Sequence, residues 1–421
     1  MIENIAFEDY KKSSDIHGTV LYPAVMVAPI QKEILRSLIN PEEKMSIFDP
    51  FHGSGTALYE CIEISNKVSL YGCDINPLAN LITKVKLQGV TRGIYGDIKK
   101  LSEIISEGEV KNPLSFYNID KWFRPDIQIE LNKIRNAIMQ IKNQHNRLFF
   151  WCMFSDIVRR YSNSRSSTYK LHIKPEATIK AMDNKVVDNY LKSINDNVHK
   201  YFLSASKFCL YKCDILSRII DFRDNQFNIS ITSPPYGENA TTVPYGQFSI
   251  LPLLWIDKND LELEGWEFES YSSIDTNSIG GRAKPINMSN YAIRLIMPYL
   301  QRIGDSKQRK VIRFFNDYFF FLDELCRVTK NHIVLTLGNR TVDRVNIDLT
   351  NITVKYLENK GFRNEKILER EIPIKRIPRT TSRVGSKPVK SINSEYVIIH
   401  TKQLNHQYSR DENEVPASIF T

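Results

Sequence analysis

The run Ile47-Phe48-Asp49-Pro50-Phe51-His52-Gly53-Ser54-Gly55-Thr56 decides how the rest of the chain is read. An apolar, strand-like stretch, Ser46–Asp49, enters it, and an amphipathic helical stretch, Ala57–Ser65, leaves it. Strand, glycine-rich turn and helix in that order can open a nucleotide-binding α/β unit, though the turn alone does not specify one. Gly53 and Gly55 permit a tight turn and a close backbone approach to a ligand. The turn is not a phosphate-cradling P-loop, because Thr56 and Ala57 follow Gly55 where a Lys would stand. It also lacks the third glycine of a dinucleotide fingerprint.

Working outward, the second strand, Ser69–Asp74, ends in Tyr71-Gly72-Cys73-Asp74-Ile75-Asn76-Pro77. An acid about twenty residues beyond a glycine-rich turn can accept both hydroxyls of a ribose. Asp-x-Asn-Pro is equally suited to capping the next helix. A third strand, Phe208–Asp214, ends in Cys213-Asp214-Ile215, where an adenine amino group could be held. Asp49, Asp74 and Asp214 at the ends of three successive strands describe an adenosine-shaped site.

Further strands are expected at Phe227–Thr232, His332–Leu337 and Tyr396–Thr401, with a weaker one at Lys366–Ile372. Helical patterns at Pro77–Lys86, Val311–Val328 and Leu349–Lys360 alternate with them, which predicts an α/β fold with a parallel sheet. Residues 99–207 break the alternation with mainly helical periodicity, as in Ile127–Lys142 and Leu148–Ile157, and read as an insertion. Residues 237–309 carry no clear periodicity. Long segments at the carboxyl ends of strands are where such folds build substrate contacts. The expected division is 1–98 for the cofactor-binding first part, 99–207 for the insertion, 208–403 for the catalytic second part and 404–421 for a tail.

The fourth strand ends in Ser233-Pro234-Pro235-Tyr236-Gly237. Two prolines cannot continue a central strand, so the chain must turn there, stiffly and with its carbonyls free. The Ser233 hydroxyl and Pro234 carbonyl can accept the two protons of an exocyclic amino group. Tyr236 offers a face on which a base taken out of a duplex can stack.

DPFHGSGT resembles the D-P-F-x-G-S-G-T cofactor motif of S-adenosylmethionine-dependent DNA amino-methyltransferases. SPPY resembles their catalytic tetrapeptide, (S/N/D)-P-P-(Y/F/W). The resemblance covers roughly 16–98 and 208–403. It implies a class I methyltransferase-like sheet of seven strands, mostly parallel with an antiparallel last strand; the largely helical insertion lies outside the resemblance, and it and residues 237–309 are candidate DNA-reading elements from their placement. It implies S-adenosylmethionine as cofactor, with Asp49, Pro50, Phe51, Gly53, Ser54, Gly55 and Thr56 around its methionine half. Asp74, with Asn76 beside it, would hold the ribose, and Asp214 would face the adenine. His17 and Tyr22-Pro23-Ala24 resemble the segment that closes over the cofactor. Ser at the first position of SPPY points to cytosine N4 ahead of adenine N6. The partners implied are double-stranded DNA and a restriction endonuclease acting on the same site; a monomer is the expected state for an enzyme that modifies one strand at a time. An RNA or protein methyltransferase and a catalytically idle DNA-binding module are the rival readings. The intact acids and SPPY argue against both.

The balance of 57 basic and 48 acidic residues, net +9, is compatible with a polyanionic partner. Lys375, Arg376, Arg379, Arg383 and Lys387, in KRIPRTTSRVGSKPVK, are candidate phosphate contacts in the connection before the last strand. Arg159, Arg160 and Arg165 form a second candidate group, and Tyr245, Gln247 and Phe248 are candidates for ordering the base pocket. The six cysteines form no C-x-x-C pair, so reduced buried thiols and no metal are expected. The polar N-terminus and the lack of a spanning apolar stretch predict a cytoplasmic protein away from membranes.

Overall fold

The computed structural model describes residues 10–110, 112–237, 243–263, 266, 270–281, 284–371, 380–384, 387–390 and 394–403. The main sheet is built from β1 (Met45–Asp49), β2 (Val68–Cys73), β3 (Lys207–Tyr211), β4 (Phe227–Thr232), β5 (Thr329–Gly338), β6 (Phe362–Glu371) and β7 (Ser394–Lys402). Its order is β3-β2-β1-β4-β5-β7-β6. The first five strands pair parallel, and β7 runs antiparallel to both β5 and β6. This is the class I methyltransferase sheet that the motifs implied. Strand order reverses between β1 and β4, which opens a crevice above their carboxyl ends.

Helices cover both faces of the central strands β1 and β4, which are buried on both sides, whereas the edge strand β6, FRNEKILERE, keeps exposed polar residues along one side. Successive residues alternate between two cores. Ile47, Leu70, Ile229, Ile231 and Val334 enter one, while Phe48, Phe227, Ile333, Leu335 and Leu337 enter the other. The first core lies under helices Ala28–Leu38, Thr56–Ile64 and Pro77–Gln88, and the second under Asp305–Val328 and Leu349–Asn359.

The insertion is helical as expected, with helices Ile94–Glu107, Pro125–Met139, Gln144–Tyr161 and Val186–Asn197. It does not form a core of its own. Phe149, Phe150, Trp151 and Phe154 of Gln144–Tyr161 are fully buried in the first core, beside the sheet residues. Trp151 also donates to Asp260 at 2.7 Å, and Arg147 grips the same carboxylate, which ties the insertion to the segment after β4. Trp151→Ala is expected to cost about 3–5 kcal/mol of stability. Denaturant unfolding should show the midpoint falling in one transition shared by sheet and insertion.

Residues 237–309 are more regular than their sequence suggested. They contain helices Tyr245–Trp255 and Asn290–Leu300. The first, YGQFSILPLLW, packs against neighbours on most sides, so it has no polar stripe to betray a helical period. β3 stops at Tyr211, because Asp214 already caps the short helix that follows. The basic stretch before β7 includes the strands Thr380–Val384 and Lys387–Lys390, paired as an antiparallel hairpin that carries Arg383 and Lys387. Lys375, Arg376 and Arg379 lie outside the described residues. Among the described residues no helix is long and apolar enough to cross a membrane. No group of His, Cys, Asp or Glu among them could hold a metal ion.

Candidate active site

The corners after β1 and β4 touch. The Phe51 backbone N–H lies 3.2 Å from Thr232 Oγ1 and 3.2 Å from Asp49 Oδ1. Above them opens a cleft of about 830 Å³, mouth included. Pro50, Phe51, Gly53, Ser54 and Thr56 of the first corner line it, with Ser233 and Pro235 of the second. Tyr22, Pro23, Asp74, Asn76 and Asp214 are also part of its wall.

Gly53 and Gly55 both adopt left-handed backbone, at φ 51° and 73°. A Cβ on Gly55 would stand 2.6 Å from Thr83 Cγ2. A Cβ on Gly53 would meet the Tyr22 ring at 3.6 Å, an ordinary contact, so there the left-handed backbone rather than lack of space favours glycine. Asp74 Oδ2 accepts from the Gly53 N–H at 3.0 Å and Oδ1 from the Asn76 N–H at 2.8 Å. This carboxylate therefore pins the turn to the end of β2, and burial raises its pKa.

The two readings of Asp-x-Asn-Pro divide between two residues. Asn76 is the helix cap, accepting from the Leu78 N–H at 3.0 Å, whereas Asp74 faces the cleft. The remaining Asn76 hydrogens go to Ser249 Oγ at 2.7 Å and Tyr22 Oη at 3.1 Å. Asn76 thus braces the wall. Tyr22 stacks on Tyr245 with centroids 5.9 Å apart, and Tyr245 also lines the cleft. Gln247 accepts from the Leu171 N–H at 3.3 Å, and Phe248 is buried.

Asp49 stands behind the turn, fully buried and off the cleft lining. Its Oδ2 has no partner among the described residues, and burial pushes its carboxyl up to about 7. A carboxyl raised on folding supports the native state below its unfolded pKa, about 3.9, and that support is lost as pH climbs through its folded value. The melting temperature should therefore drop between about pH 5 and pH 7 more in the natural protein than in Asp49→Asn. Parallel pH dependence in the two proteins would remove Asp49 as the cause.

Sequence reading missed a buried polar cluster beneath the turn. Lys86 Nζ donates to the Ser54 carbonyl at 2.7 Å and lies 3.4 Å from His17 Nδ1, while His17 Nε2 meets Glu60 at 2.7 Å. His17 is thus below the cleft, bracing the turn through Lys86. Burial lowers Lys86 to about 7 and raises Glu60 to about 7. The available signal was a Lys between Val85 and Leu87, and a Glu inside ALYECI, each amid apolar neighbours.

At the second corner, Pro234 is buried. The Tyr236 ring packs on Gly338, where a Cβ would be 2.7 Å from Cε2. Its hydroxyl lies 3.1 Å from Ser233 Oγ and 3.3 Å from Glu395 Oε1. Arg159 is engaged inside the protein: it donates to the Phe248 and Thr168 carbonyls, both at 3.1 Å, and covers the Phe248 ring at 4.0 Å. Arg160 and Arg165 are exposed, Arg165 Nε donating to the Ile173 carbonyl at 3.3 Å.

Sheet order and pairing give the class I methyltransferase fold, with the cleft at the carboxyl ends of its parallel strands. More particularly, the chain is similar to methyltransferases of restriction–modification type, whose motifs DPFHGSGT and SPPY resemble. The type II methyltransferase M.MvaI of Kocuria varians is 28% identical over 428 residues, which span 92% of this chain and 91% of that protein. The type II methyltransferase M.MjaII of Methanocaldococcus jannaschii is 31% identical over 105 residues, 24% of this chain and 18% of that protein. No family model matches the sequence.

Proposed function

We propose that this DNA methyltransferase moves the methyl group of S-adenosylmethionine to the exocyclic amino group of a base drawn out of duplex DNA, cytosine N4 ahead of adenine N6. The observation that carries the proposal is the contact between the two corners, which sets Ser233 and the glycine-rich turn on one cleft. The residues present suit an adenosine-bearing donor: the acids that follow β2 and β3 reach the cleft, and the left-handed turn at Gly53 lines it with them. In this reading Asp74 holds the ribose, Asp214 faces the adenine, and the Gly53–Thr56 turn surrounds the methionine half. The donor supplies a methyl carbon on a positively charged sulfur.

The protein's own contribution is placement. Ser233 Oγ and the Pro234 carbonyl accept hydrogens of the amino group, which turns the nitrogen lone pair toward the methyl carbon. No strong base is needed beforehand, since the nitrogen gives up its proton readily once alkylated. Fixed acceptors need not reorganise as charge develops. Arg160, Arg165 and the hairpin bearing Arg383 and Lys387 are the proposed phosphate contacts, with Lys375, Arg376 and Arg379 beside them in sequence. The insertion and residues 237–309 would read the target. A monomer in the cytoplasm, paired with an endonuclease of the same site, completes the reading.

Nucleoside mass spectrometry on DNA from cells expressing the protein tests it. N4-methylcytosine is expected. N6-methyladenine would transfer the same mechanism to adenine, and methylated RNA with unmodified DNA would overturn the substrate.

A further inference from the structure

We propose that Glu395 and Arg370 fix the direction of the hydrogen-bond chain ending on Ser233, so that the Ser233 oxygen meets the target amino group as an acceptor. The inference rests on the role given to Ser233 above. Four strands converge on this chain. Tyr236 follows β4, Gly338 ends β5, Arg370 lies on β6 and Glu395 on β7. Arg370 Nη1 donates to Glu395 Oε2 at 3.3 Å, and the Tyr236 phenol donates to Glu395 Oε1 at 3.3 Å. Ser233 Oγ and the phenol oxygen are 3.1 Å apart, a distance that either could bridge as donor.

Donor inventory settles the direction. A guanidinium only donates and an ionised carboxylate only accepts. Glu395 therefore takes the phenol's single hydrogen. The phenol oxygen then has none to offer Ser233 and must accept from it. The Ser233 hydrogen turns inward, and its lone pairs face the cleft that Ser233 lines. Burial raises the Glu395 pKa, and the Arg370 guanidinium beside it opposes that rise. A residue serving only to anchor the Tyr236 ring would be satisfied with the chain running either way.

Glu395→Gln separates these roles, because it keeps the shape. Arg370 would claim the new carbonyl, its amide nitrogen would meet the phenol, and the chain would reverse. The single-turnover rate on duplex DNA is expected to fall on the order of tenfold, as for one oriented hydrogen bond lost from the transition state. Cofactor affinity and KM for DNA should hold. Adding Arg370→Met frees the glutamine carbonyl to turn to the phenol and should restore most of the rate. Tyr236→Phe keeps the ring but cuts the chain, so it should slow transfer and make Glu395→Gln silent in its background. A Glu395→Gln enzyme at full rate, a double variant no faster than the single, or additive losses with Tyr236→Phe would each overturn the inference. Ser233→Ala distinguishes the levels. If it is inactive while Glu395→Gln is fully active, only this inference fails; if it is fully active, the acceptor role falls and this inference with it.

Discussion

Ser233→Ala is expected to cut the single-turnover rate of methyl transfer by about a hundred- to a thousandfold, the usual loss when one preorganised group at the reacting centre is removed. Ser233 lines the cleft beside Pro50 and Phe51, and its hydroxyl is tethered from behind by Tyr236. The corner itself should survive the change, because Pro234 and Pro235 hold its backbone without help from the hydroxyl. Cofactor affinity should also survive, since the acids that face the cleft come from β2 and β3. Rapid-quench kinetics paired with titration calorimetry reads both quantities. Unchanged transfer would remove Ser233 from the chemistry, and equal losses of rate and affinity would make it a residue of the cofactor pocket.

The opposite split is expected for Asp74→Ala. Two hydrogen bonds from ribose hydroxyls to a carboxylate are worth about 1.5–3 kcal/mol each, so affinity for S-adenosylmethionine should fall at least about a hundredfold. The substitution also releases the Gly53 and Asn76 N–H groups that the carboxylate now holds at 3.0 and 2.8 Å. Gly53 would then lose the contact that pins the turn in its left-handed conformation. Asp74→Asn retains an acceptor and should lose less. Calorimetric affinity within twofold of the natural protein would move the ribose elsewhere.

Much of this arrangement was legible in the chain because it is local. A strand, two glycines and a helix within ten residues fix a turn, and two prolines fix a corner, wherever else the chain runs. The alternation of short apolar strands with amphipathic helices foretold the sheet. What escaped was either uniform or distant. Tyr245–Trp255 is apolar nearly throughout, so no period marked it as a helix. Asp49 reads as a ligand-facing acid from its motif, yet it ends a central strand and points where the sheet is closed. Arg159 reads as a free cation from its neighbours, but it falls on the inner side of Gln144–Tyr161, where carbonyls of two other segments claim it. Glu395 lies 159 residues from Tyr236, and only sheet topology brings them together.

The burial of Gln144–Tyr161 among the sheet's own side chains bears on engineering. Specificity modules are commonly exchanged between enzymes as cassettes, but removing residues 99–207 would strip aromatic packing from the catalytic half and leave Asp260 without Arg147 and Trp151. If the insertion reads the target as proposed, redesign belongs at its rim, in short stretches with exposed side chains such as Arg165–Lys170, where side-chain changes alter what is touched and leave the common interior standing.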